Sequence, residues 1–400
     1  MSAPRAGAEA GAEASIAVVG PTHPYTGGIA QHTTVLCHRL AEAGARVELV
    51  SWSAQYPGFL YPGTARVPDD EPEVTPFPRT IYPLAWNRPD TWFRQGRRLR
   101  RHDAVVLVVV TPFHAVPYTV LLRALGRRGR SVAVVHNVLP HEPSRFDRVL
   151  VRAMLRRFDG VVVHSEEQRQ LAIELGGDPD RVTVAPLVLP RDPAAVPAAV
   201  PTGAGADTRP VDASRPLELL FFGTIRPYKG LDVLLRALAL VPDARLVVAG
   251  DFWQGVEEYE ALLRELGIAD RVELRPGYVA ESEVPGLFAK ADALVLPYRS
   301  GTASFNVALA AMHGIPSVAT DAGTLADEVT DGVDGLVVRS GDVEGLASAL
   351  RQLGDPQTRA RLRAGVSRHD TSGPWAEYAR AVLTTAGLRP AASDAVEGQP

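Results

Sequence analysis

Short apolar runs that end in glycine or histidine alternate along this chain with segments of helical periodicity. The first run is 15–20, helix-like sequence follows from Ile29 to Ala43, and a second apolar run comes at 46–51. This order of strand, loop, helix and strand is typical of βαβ units, in which consecutive strands become parallel neighbours in one sheet. The alternation therefore predicts an α/β protein built on parallel sheets.

The alternation is interrupted at 190–216, which predicts two domains, as a length of 400 residues also favours. The interruption is rich in Pro, Ala, Gly, Asp and Thr and has no periodicity, which is typical of a linker. The predicted organisation is a disordered leader (1–14), an N-terminal Rossmann-like domain (15–190), a linker (191–216), a C-terminal Rossmann-like domain (217–372), a C-terminal helix that packs back on the N-terminal domain (373–389) and a disordered tail (390–400), with a long loop from Tyr56 to Pro89.

Composition narrows the class of protein. The 46% hydrophobic and 22% charged fractions are typical of a soluble globular protein, and no apolar run approaches the ~20 residues of a membrane-spanning helix. Cys37 is the only cysteine, so a disulfide within the chain and a thiol-rich metal site are both excluded. These features predict a cytoplasmic enzyme.

Charge is unevenly distributed. Residues 1–190 hold 22 Lys and Arg against 18 Asp and Glu, a net charge of +4, and the remainder hold 20 against 28, a net charge of −8. The arginines of the first part form either solvated helix faces or a surface that docks on an acidic acceptor or on anionic lipid at the inner face of a membrane. Nucleic acid is not expected as a partner, because the whole chain is acidic and few aromatic residues lie among the arginines. The clusters are Arg94, Arg97, Arg98, Arg100 and Arg101; Arg123, Arg127, Arg128 and Arg130; and Arg145, Arg148, Arg152, Arg156 and Arg157.

One loop carries a strong signal for anion binding. The apolar run 217–222 ends at Gly223, and helical spacing begins at Leu231, with Arg226 and Lys229 between them. Free backbone N–H groups at a helix start favour an anion, a guanidinium can bind phosphate in a bidentate manner, and an ammonium adds a point charge. Lys229 is one of only two lysines among the 42 basic residues. The alternative is an ordinary solvated loop.

Three other loops are candidates for the same site. Gly27 and Gly28 precede a helix and permit close approach of the backbone to a phosphate. His136 directly follows an apolar strand, at the sheet edge where such folds bind ligands. The stretch 297–306 follows another strand and brings three serine and threonine hydroxyls and free amides to a helix start. Two phosphate-binding loops in one domain suit a diphosphate.

Together these stretches resemble GT-B glycosyltransferases of the group-1 (family 4) type, from Ser15 to about Ala386. The motifs that carry the resemblance are Gly27-Gly28-Ile29-Ala30, His136-Asn137, Phe222-Gly223 through Lys229-Gly230, Val248 to Asp251, Ala291-Asp292 ahead of Leu296-Pro297-Tyr298, Gly314 to Asp321 and Gly332 to Gly335. The resemblance implies two Rossmann-like domains that face each other across a cleft. It also implies a nucleotide-diphosphate sugar as donor, transfer with retention, and neither a metal nor another cofactor.

The resemblance assigns roles to individual residues. It implies that Arg226 and Lys229 bind the diphosphate and stabilise it as a leaving group, and that His136 approaches the donor sugar. These three are the predicted catalytic residues. The predicted nucleotide-sugar-binding residues are Gly27, Gly28, Gly223, Tyr278, Val279, Thr302, Ala303, Ser304, Phe305 and Asn306.

One departure from the family pattern stands out. The family usually carries two glutamates, eight residues apart, where this chain has Gly301 and Leu309. Thr302, Ser304 or Asn306 are candidates to replace them by hydrogen bonding. The departure keeps two alternatives open: a GT-B-fold binding or scaffold protein that has lost catalysis, and a nucleotide-sugar hydrolase or epimerase. The sequence identifies neither the donor sugar and base nor the acceptor, which could be a small molecule, a glycan or a lipid-linked sugar.

Overall fold

The computed structural model describes residues 13–56, 72, 74–127, 129–140, 144–188, 215–301, 304–323, 325–366 and 372–389. The described residues divide into two units, the first made of those between 13 and 188 together with 372–389, and the second of those between 215 and 366. The predicted leader, linker and tail lie almost entirely outside the described residues.

The first unit is a seven-stranded sheet in which every neighbouring pair is parallel. Its order is β3-β2-β1-β4-β5-β6-β7, so the strand order reverses beside β1. The central strand β4 is buried along its whole length, as expected for a parallel strand that is covered on both faces. The strands are β1 (Ser15–Val19), β2 (Arg46–Ala54), β3 (Thr80–Ala85), β4 (Ala104–Val109), β5 (Arg130–Val135), β6 (Gly160–Val163) and β7 (Val182–Val184), and the helices are α1 (Gly28–Glu42), α2 (Pro89–Arg98), α3 (Ala115–Leu125), α4 (Arg145–Leu155) and α5 (Glu166–Glu174).

The predicted loop from Tyr56 to Pro89 is wrong in part, because strand β3 lies within it. β3 lies at the edge of the sheet and pairs with β2. Pro83 has no backbone N–H, and an edge strand tolerates it because that strand does not need hydrogen bonds on both sides. A proline-containing edge strand whose first four residues are exposed or only partly buried has neither the continuous apolar run nor the strict alternation that identifies strands in sequence. Residues 57–71 and 73 of the predicted loop lie outside the described part.

The last helix, α12 (Ser372–Thr385), belongs to the first unit although the whole second unit precedes it in sequence. Trp375 and Tyr378 are buried in one apolar cluster with Leu36 and Leu40 of α1. At its end, the Thr385 hydroxyl donates to the Thr183 hydroxyl at 3.0 Å. The aromatic side chains of α12 thus complete the core of the first sheet.

The second unit is a six-stranded parallel sheet of order β10-β9-β8-β11-β12-β13. The strand order reverses between β8 and β11, so the loops that follow these two strands leave the same edge of the sheet side by side. The two parallel sheets confirm the predicted pair of Rossmann-like domains. The strands are β8 (Leu217–Phe222), β9 (Ala244–Gly250), β10 (Val272–Pro276), β11 (Ala293–Leu296), β12 (Ser317–Thr320) and β13 (Gly335–Val338), and the helices are α6 (Leu231–Ala239), α7 (Glu257–Leu266), α8 (Val284–Lys290), α9 (Phe305–Met312), α10 (Val343–Gly354) and α11 (Pro356–Gly365).

A buried carboxylate aligns β8 with β11. Asp292, which is 2% exposed, directly precedes β11 and accepts a hydrogen bond from the backbone amide of Glu218 in β8 at 3.0 Å. Arg215 donates to both oxygens of the same carboxylate, at 2.6 and 2.9 Å. Bidentate pairing of this kind satisfies a buried charge and fixes geometry. The pair therefore holds in register the two strands whose loops form the candidate site.

Candidate functional site

Close backbone contacts between glycines and neighbouring loops shape the carboxyl edge of the second sheet. A Cβ on Gly250 would lie 2.1 Å from the carbonyl oxygen of Gly223, and one on Gly230 would lie 2.0 Å from that of Pro297. Gly223 and Gly230 have φ values of 103° and 68°, which favour glycine. The loops after β8, β9 and β11 can approach each other only because these positions lack side chains.

Lys229 lies at the centre of this edge and is 9% exposed. It ends the 3-10 turn Pro227–Lys229 between β8 and α6. Burial lowers the pKa of its ammonium group, and the nearby guanidinium of Arg226 lowers it further, against an opposing effect of Tyr228. Among the described residues, no carboxylate forms an ion pair with Lys229, and no acceptor takes a hydrogen bond from its Nζ atom. In that part of the chain, the Nζ atom makes one cation–π contact, with the ring of Tyr298 at 5.4 Å from the ring centroid.

Arg226 precedes the same turn and is partly buried. Its guanidinium carbon lies 3.7 Å from the ring centroid of Trp253, so the side chain stacks on the indole. Stacking on an aromatic face leaves the N–H groups at the rim of the guanidinium available to an anion. In the part of the chain that is described, no carboxylate pairs with Arg226. Two neighbouring cations therefore lack a carboxylate partner among the described residues.

Gly223 and Asn306 border Lys229. A Cβ on Gly223 would lie 3.6 Å from Lys229 Nζ and 3.4 Å from Asn306 Nδ2, so the loop after β8 and the start of α9 meet at this glycine. Asn306 Nδ2 donates to the carbonyl of Phe222 at 2.9 Å, which fixes the amide over the end of β8. The structure thus brings together three predicted site residues, Gly223, Lys229 and Asn306.

More of the polar groups in the loop after β11 form hydrogen bonds within the chain than the sequence suggests. The Ser304 hydroxyl caps α9 by accepting from the amide of Asn306 at 3.3 Å. The Ser304 amide donates to the carboxylate of Glu328 at 2.8 Å, so this amide is engaged within the chain and is not free to bind an anion. Phe305 is the first residue of α9, and Thr302 and Ala303 lie outside the described residues.

Sequence reasoning missed Glu328. It lies in a 3-10 turn, Leu325–Glu328, after β12, where no motif or spacing marks it. Burial raises its pKa to about 8, an effect that the hydrogen bond from Ser304 opposes and the charge of Asp327 reinforces. The sequence signal that does exist is indirect: the resemblance implies a carboxylate near this loop, and the chain supplies one from another turn.

Both residues at the positions of the absent glutamates have packing roles. Leu309 is 4% exposed and lies in the apolar cluster beneath the loops after β8 and β11. The Gly301 carbonyl lies so close to Gly323 that a Cβ on Gly323 would approach it to 1.9 Å. The departure from the family pattern is therefore built into the packing of this unit.

Tyr278 and Val279 lie at the same edge of the second sheet. They follow β10 and Gly277, whose φ is 112° and whose amide donates to the Gly250 carbonyl at 3.1 Å. Val279 packs against the apolar cluster that contains Tyr298. Their loop therefore borders the one that follows β9.

The remaining predicted residues belong to the first unit. Gly27 caps α1 with a φ of 101°, and no atom lies within 4 Å of the Cβ position at this residue, so its surroundings are open. Gly28 is the first residue of α1. Both glycines thus lie at an open helix start, the position from which the sequence predicts a phosphate contact.

His136 follows β5 and is 6% exposed. Its ring centroid lies 4.9 Å from that of His32 and 4.8 Å from that of His164. Burial lowers the pKa of His136, and the two neighbouring imidazoles lower it further, so the ring is neutral. His32 and His164 were missed, although each has a recognisable position, on the buried stripe of α1 and directly after β6.

Two family models match this chain. The model described as Glycosyltransferase Family 4 matches residues 26–188, and the one described as Glycosyl transferases group 1 matches residues 216–355. A D-inositol 3-phosphate glycosyltransferase of Stackebrandtia nassauensis is 32% identical over 274 residues, which make up 63% of this chain and 59% of the relative. One of Xylanimonas cellulosilytica is 34% identical over 238 residues, 56% of each chain. The chain thus spans less than two thirds of the length of these curated relatives.

Solved structures agree on the fold. HepE of Anabaena in complex with UDP and glucose superposes with a TM-score of 0.67 at 17% identity, over 94% of this chain and 98% of that one. WaaG, a glycosyltransferase involved in lipopolysaccharide biosynthesis, does so with a TM-score of 0.63 at 18% identity, over 92% and 99%. Two parallel-sheet units with this strand order define the GT-B fold class. The chain belongs to the group 1, family 4 type of the GT-B glycosyltransferases.

Two further findings concern the described residues alone. No group of three or more His, Cys, Asp or Glu side chains in them is placed to hold a metal ion. No helix in that part of the chain combines the length and the apolar character needed to cross a membrane.

Proposed function

We propose that this protein transfers a sugar from a nucleotide-diphosphate donor to an acceptor, and that it binds the diphosphate at the loop from Gly223 to Lys229. The observation that carries the proposal is the buried ammonium of Lys229, which has no carboxylate partner in the described residues and lies beside a second unpaired cation, Arg226. A buried charge without a counter-charge is costly. A diphosphate would offset that cost for both cations at once.

The same arrangement suits the chemistry of transfer. When the bond between the sugar and the diphosphate breaks, negative charge develops on the departing phosphate oxygen. Cations that are already positioned stabilise this charge without reorganisation, which is often the largest contribution to catalysis. Lys229 is fixed by burial and Arg226 by its stacking on Trp253, so both are preorganised. Gly28 would contribute backbone amides from the first unit, and backbone atoms near Tyr278 would read the base.

The finer details of the reaction rest on the family. We infer transfer with retention and without a metal ion, in which the acceptor hydroxyl gives its proton to an oxygen of the donor phosphate. We infer that His136 approaches the sugar as a neutral group. HepE binds UDP and UDP-glucose, so these are the first donors to try, and inositol 3-phosphate is the acceptor that the curated relatives suggest. Contact with an anionic membrane surface is a separate proposal, which depends on the arginines of the first unit.

Calorimetric titration with UDP and GDP tests the diphosphate site directly. We expect binding of at least one nucleotide by the wild type, and loss of that binding in Lys229→Ala and Arg226→Ala with unchanged circular dichroism. Lys290→Ala removes the only other lysine, which is exposed at the end of α8, and should bind as the wild type does. Equal affinity in Lys229→Ala, Arg226→Ala and Lys290→Ala would refute the role of this loop.

A second candidate is a nucleotide-binding protein that has lost catalysis. The packing roles of Gly301 and Leu309, at positions where the family carries glutamates, favour it. The two candidates differ in turnover: release of UDP from UDP-glucose that depends on an added acceptor supports the transferase. Nucleotide binding without turnover, across a panel of donors and acceptors, supports the lapsed enzyme. Release without any acceptor indicates hydrolysis.

A further inference from the structure

The structure separates the arginine clusters of the first unit into paired and unpaired sets. On α2 and the turn that follows, Arg94 pairs with Asp90, and both Arg98 and Arg101 pair with Glu48, at 2.6 and 3.0 Å. These arginines satisfy carboxylates of the protein itself. They are therefore explained by the fold and need no partner.

The arginines of α4 are different. Arg145, Arg148 and Arg152 are exposed, and their spacing of three and four residues places them in one row along the helix. None of the three forms an ion pair or a side-chain hydrogen bond with any described residue. Asp147, the one acid within α4, is engaged with Ser144 at the start of the helix.

An apolar row lies beside this basic row. Phe146 is 80% exposed and Val149 is 66% exposed, the two highest values among the large apolar side chains of the described residues. With the exposed Ala153 they repeat the spacing of three and four residues, one position further along than the arginines. Single exposed apolar residues are common on protein surfaces, but a row of them parallel to a row of cations is not explained in that way.

This face is not required for folding. α4 begins with a complete capping box, in which Ser144 and Asp147 satisfy each other's backbone amides. Its opposite face is anchored by Val151, Met154 and Leu155, which are buried in the core of the first unit. The helix is therefore rigidly held by one face, and it presents the two rows on the other.

We propose that α4 docks the protein on an anionic membrane surface. At the boundary of a bilayer, apolar side chains enter the region between headgroups and acyl chains while arginines bind the lipid phosphates above it. The parallel rows of α4 match that boundary in both charge and polarity. A polyanion without an apolar layer would contact the arginine row and leave Phe146 and Val149 in water. The proposal does not rest on sugar transfer.

Co-sedimentation of the whole protein with vesicles tests the proposal. We expect binding to vesicles of equal parts phosphatidylglycerol and phosphatidylcholine, weakened by high salt, and little binding to phosphatidylcholine alone. Arg148→Gln with Arg152→Gln should weaken binding by about fivefold for each arginine, since one basic residue near an anionic bilayer contributes about 1 kcal/mol. Phe146→Ser with Val149→Ser should weaken binding even at low salt. Both pairs of changes lie on an exposed face, so the variants should fold.

A matched control distinguishes a specific face from total charge. Arg123→Gln with Arg127→Gln removes the same charge from exposed positions near the end of α3, and it should bind as the wild type does. Absence of salt-sensitive binding to the anionic vesicles would overturn the proposal, and so would equal weakening in the control. If Phe146→Ser with Val149→Ser converts an oligomer into a monomer in sedimentation velocity, the face joins copies of this chain and the proposal is likewise overturned.

Discussion

The backbone amide of Ser304 donates a hydrogen bond of 2.8 Å to the carboxylate of Glu328. This bond ties the loop after β11, which carries the start of α9, to the turn after β12. The contact between the Gly301 carbonyl and Gly323 joins the same two loops a few residues away. The conformation of the loop beside Lys229 thus depends on a carboxylate that no sequence motif predicts.

We expect Glu328 to make stability depend on pH. Its pKa is raised from 4.5 to about 8 in the folded protein, so between these values the folded state binds more protons than the unfolded state. The contribution of Glu328 to stability is therefore greatest below the unfolded value and is lost as pH rises through the folded value. One pKa unit corresponds to about 1.4 kcal/mol, so the loss should amount to a few kcal/mol.

Glu328→Gln isolates this effect, because the amide oxygen still accepts from Ser304 but does not ionise. Urea unfolding at about pH 5 and about pH 8.5 should show that the variant loses less stability than the wild type over this range. Parallel losses in the two proteins would mean that Glu328 does not titrate in this way.

Nucleotide affinity should fall as pH rises through the pKa of Lys229. Burial lowers that pKa in the free protein, and a bound diphosphate favours the charged form. Affinity is therefore full below the lowered pKa and declines above it. The Lys229→Arg variant keeps the positive charge at every accessible pH. The affinity of this variant for UDP, whether strong or weak, should therefore stay constant over the same pH range. Calorimetry between about pH 7.5 and about pH 10 measures both; a parallel decline in the arginine variant would contradict this assignment.

Gly230→Ala should damage both stability and the candidate site. The residue has a φ of 68°, and its Cβ would lie 2.0 Å from the Pro297 carbonyl, so the loops after β8 and β11 would have to separate. We expect a loss of at least about 2 kcal/mol in the free energy of unfolding, together with weaker nucleotide binding.

Gly267→Ala is the matched control, since Gly267 has a φ of 66° with no atom within 4 Å of its Cβ position. It should lose only the backbone contribution, roughly 1–2 kcal/mol, and bind nucleotide as before. Equal unfolding free energies in the two variants would show that the contact with Pro297 is unimportant.

The parts of the fold that could be predicted from sequence are those with a local signal. Strand β4 is a continuous apolar run, and β8 is an apolar run interrupted only by Glu218, because parallel strands inside a sheet are covered on both faces; Gly230 marks a turn that only glycine tolerates. Strand β3 was missed because an edge strand is half exposed and accommodates Pro83. Local sequence signals thus identify the buried strands of the two sheets and miss an edge strand.

The candidate site likewise contains some residues that the sequence predicts and some that it does not. Lys229 lies in the loop after β8 and Asn306 at the start of α9, the helix that follows β11, so their meeting at the sheet edge follows from the topology. Glu328 and His164 were missed because their roles depend on contacts with residues 24 and 28 positions away in sequence, Ser304 and His136. No local pattern encodes such pairs, and a single sequence does not reveal them.

The buried imidazoles of the first unit should make the protein sensitive to acid. His32, His136 and His164 lie together with Tyr378 of α12, whose ring centroid is 5.0 Å from that of His32 and 5.9 Å from that of His164. Burial lowers the pKa of all three histidines, that of His164 from 6.5 to about 4. The folded state therefore binds fewer protons than the unfolded state below the ordinary value. Stability is complete above it and falls as pH drops toward the folded pKa values.

His164→Asn measures the contribution of one ring. The Nδ1 atom of His164 lies 3.1 Å from the Ala185 carbonyl, to which the neutral ring donates, and an asparagine amide can donate to it instead. Between about pH 7 and about pH 5 the variant should lose ~2 kcal/mol less stability than the wild type in urea unfolding. His38→Asn, a change outside the cluster, should lose as much as the wild type. If His164→Asn loses as much stability at acid pH as the wild type does, the histidine cluster does not determine the acid sensitivity. If His164→Asn alone loses less stability, protonation of the cluster weakens the packing around α12.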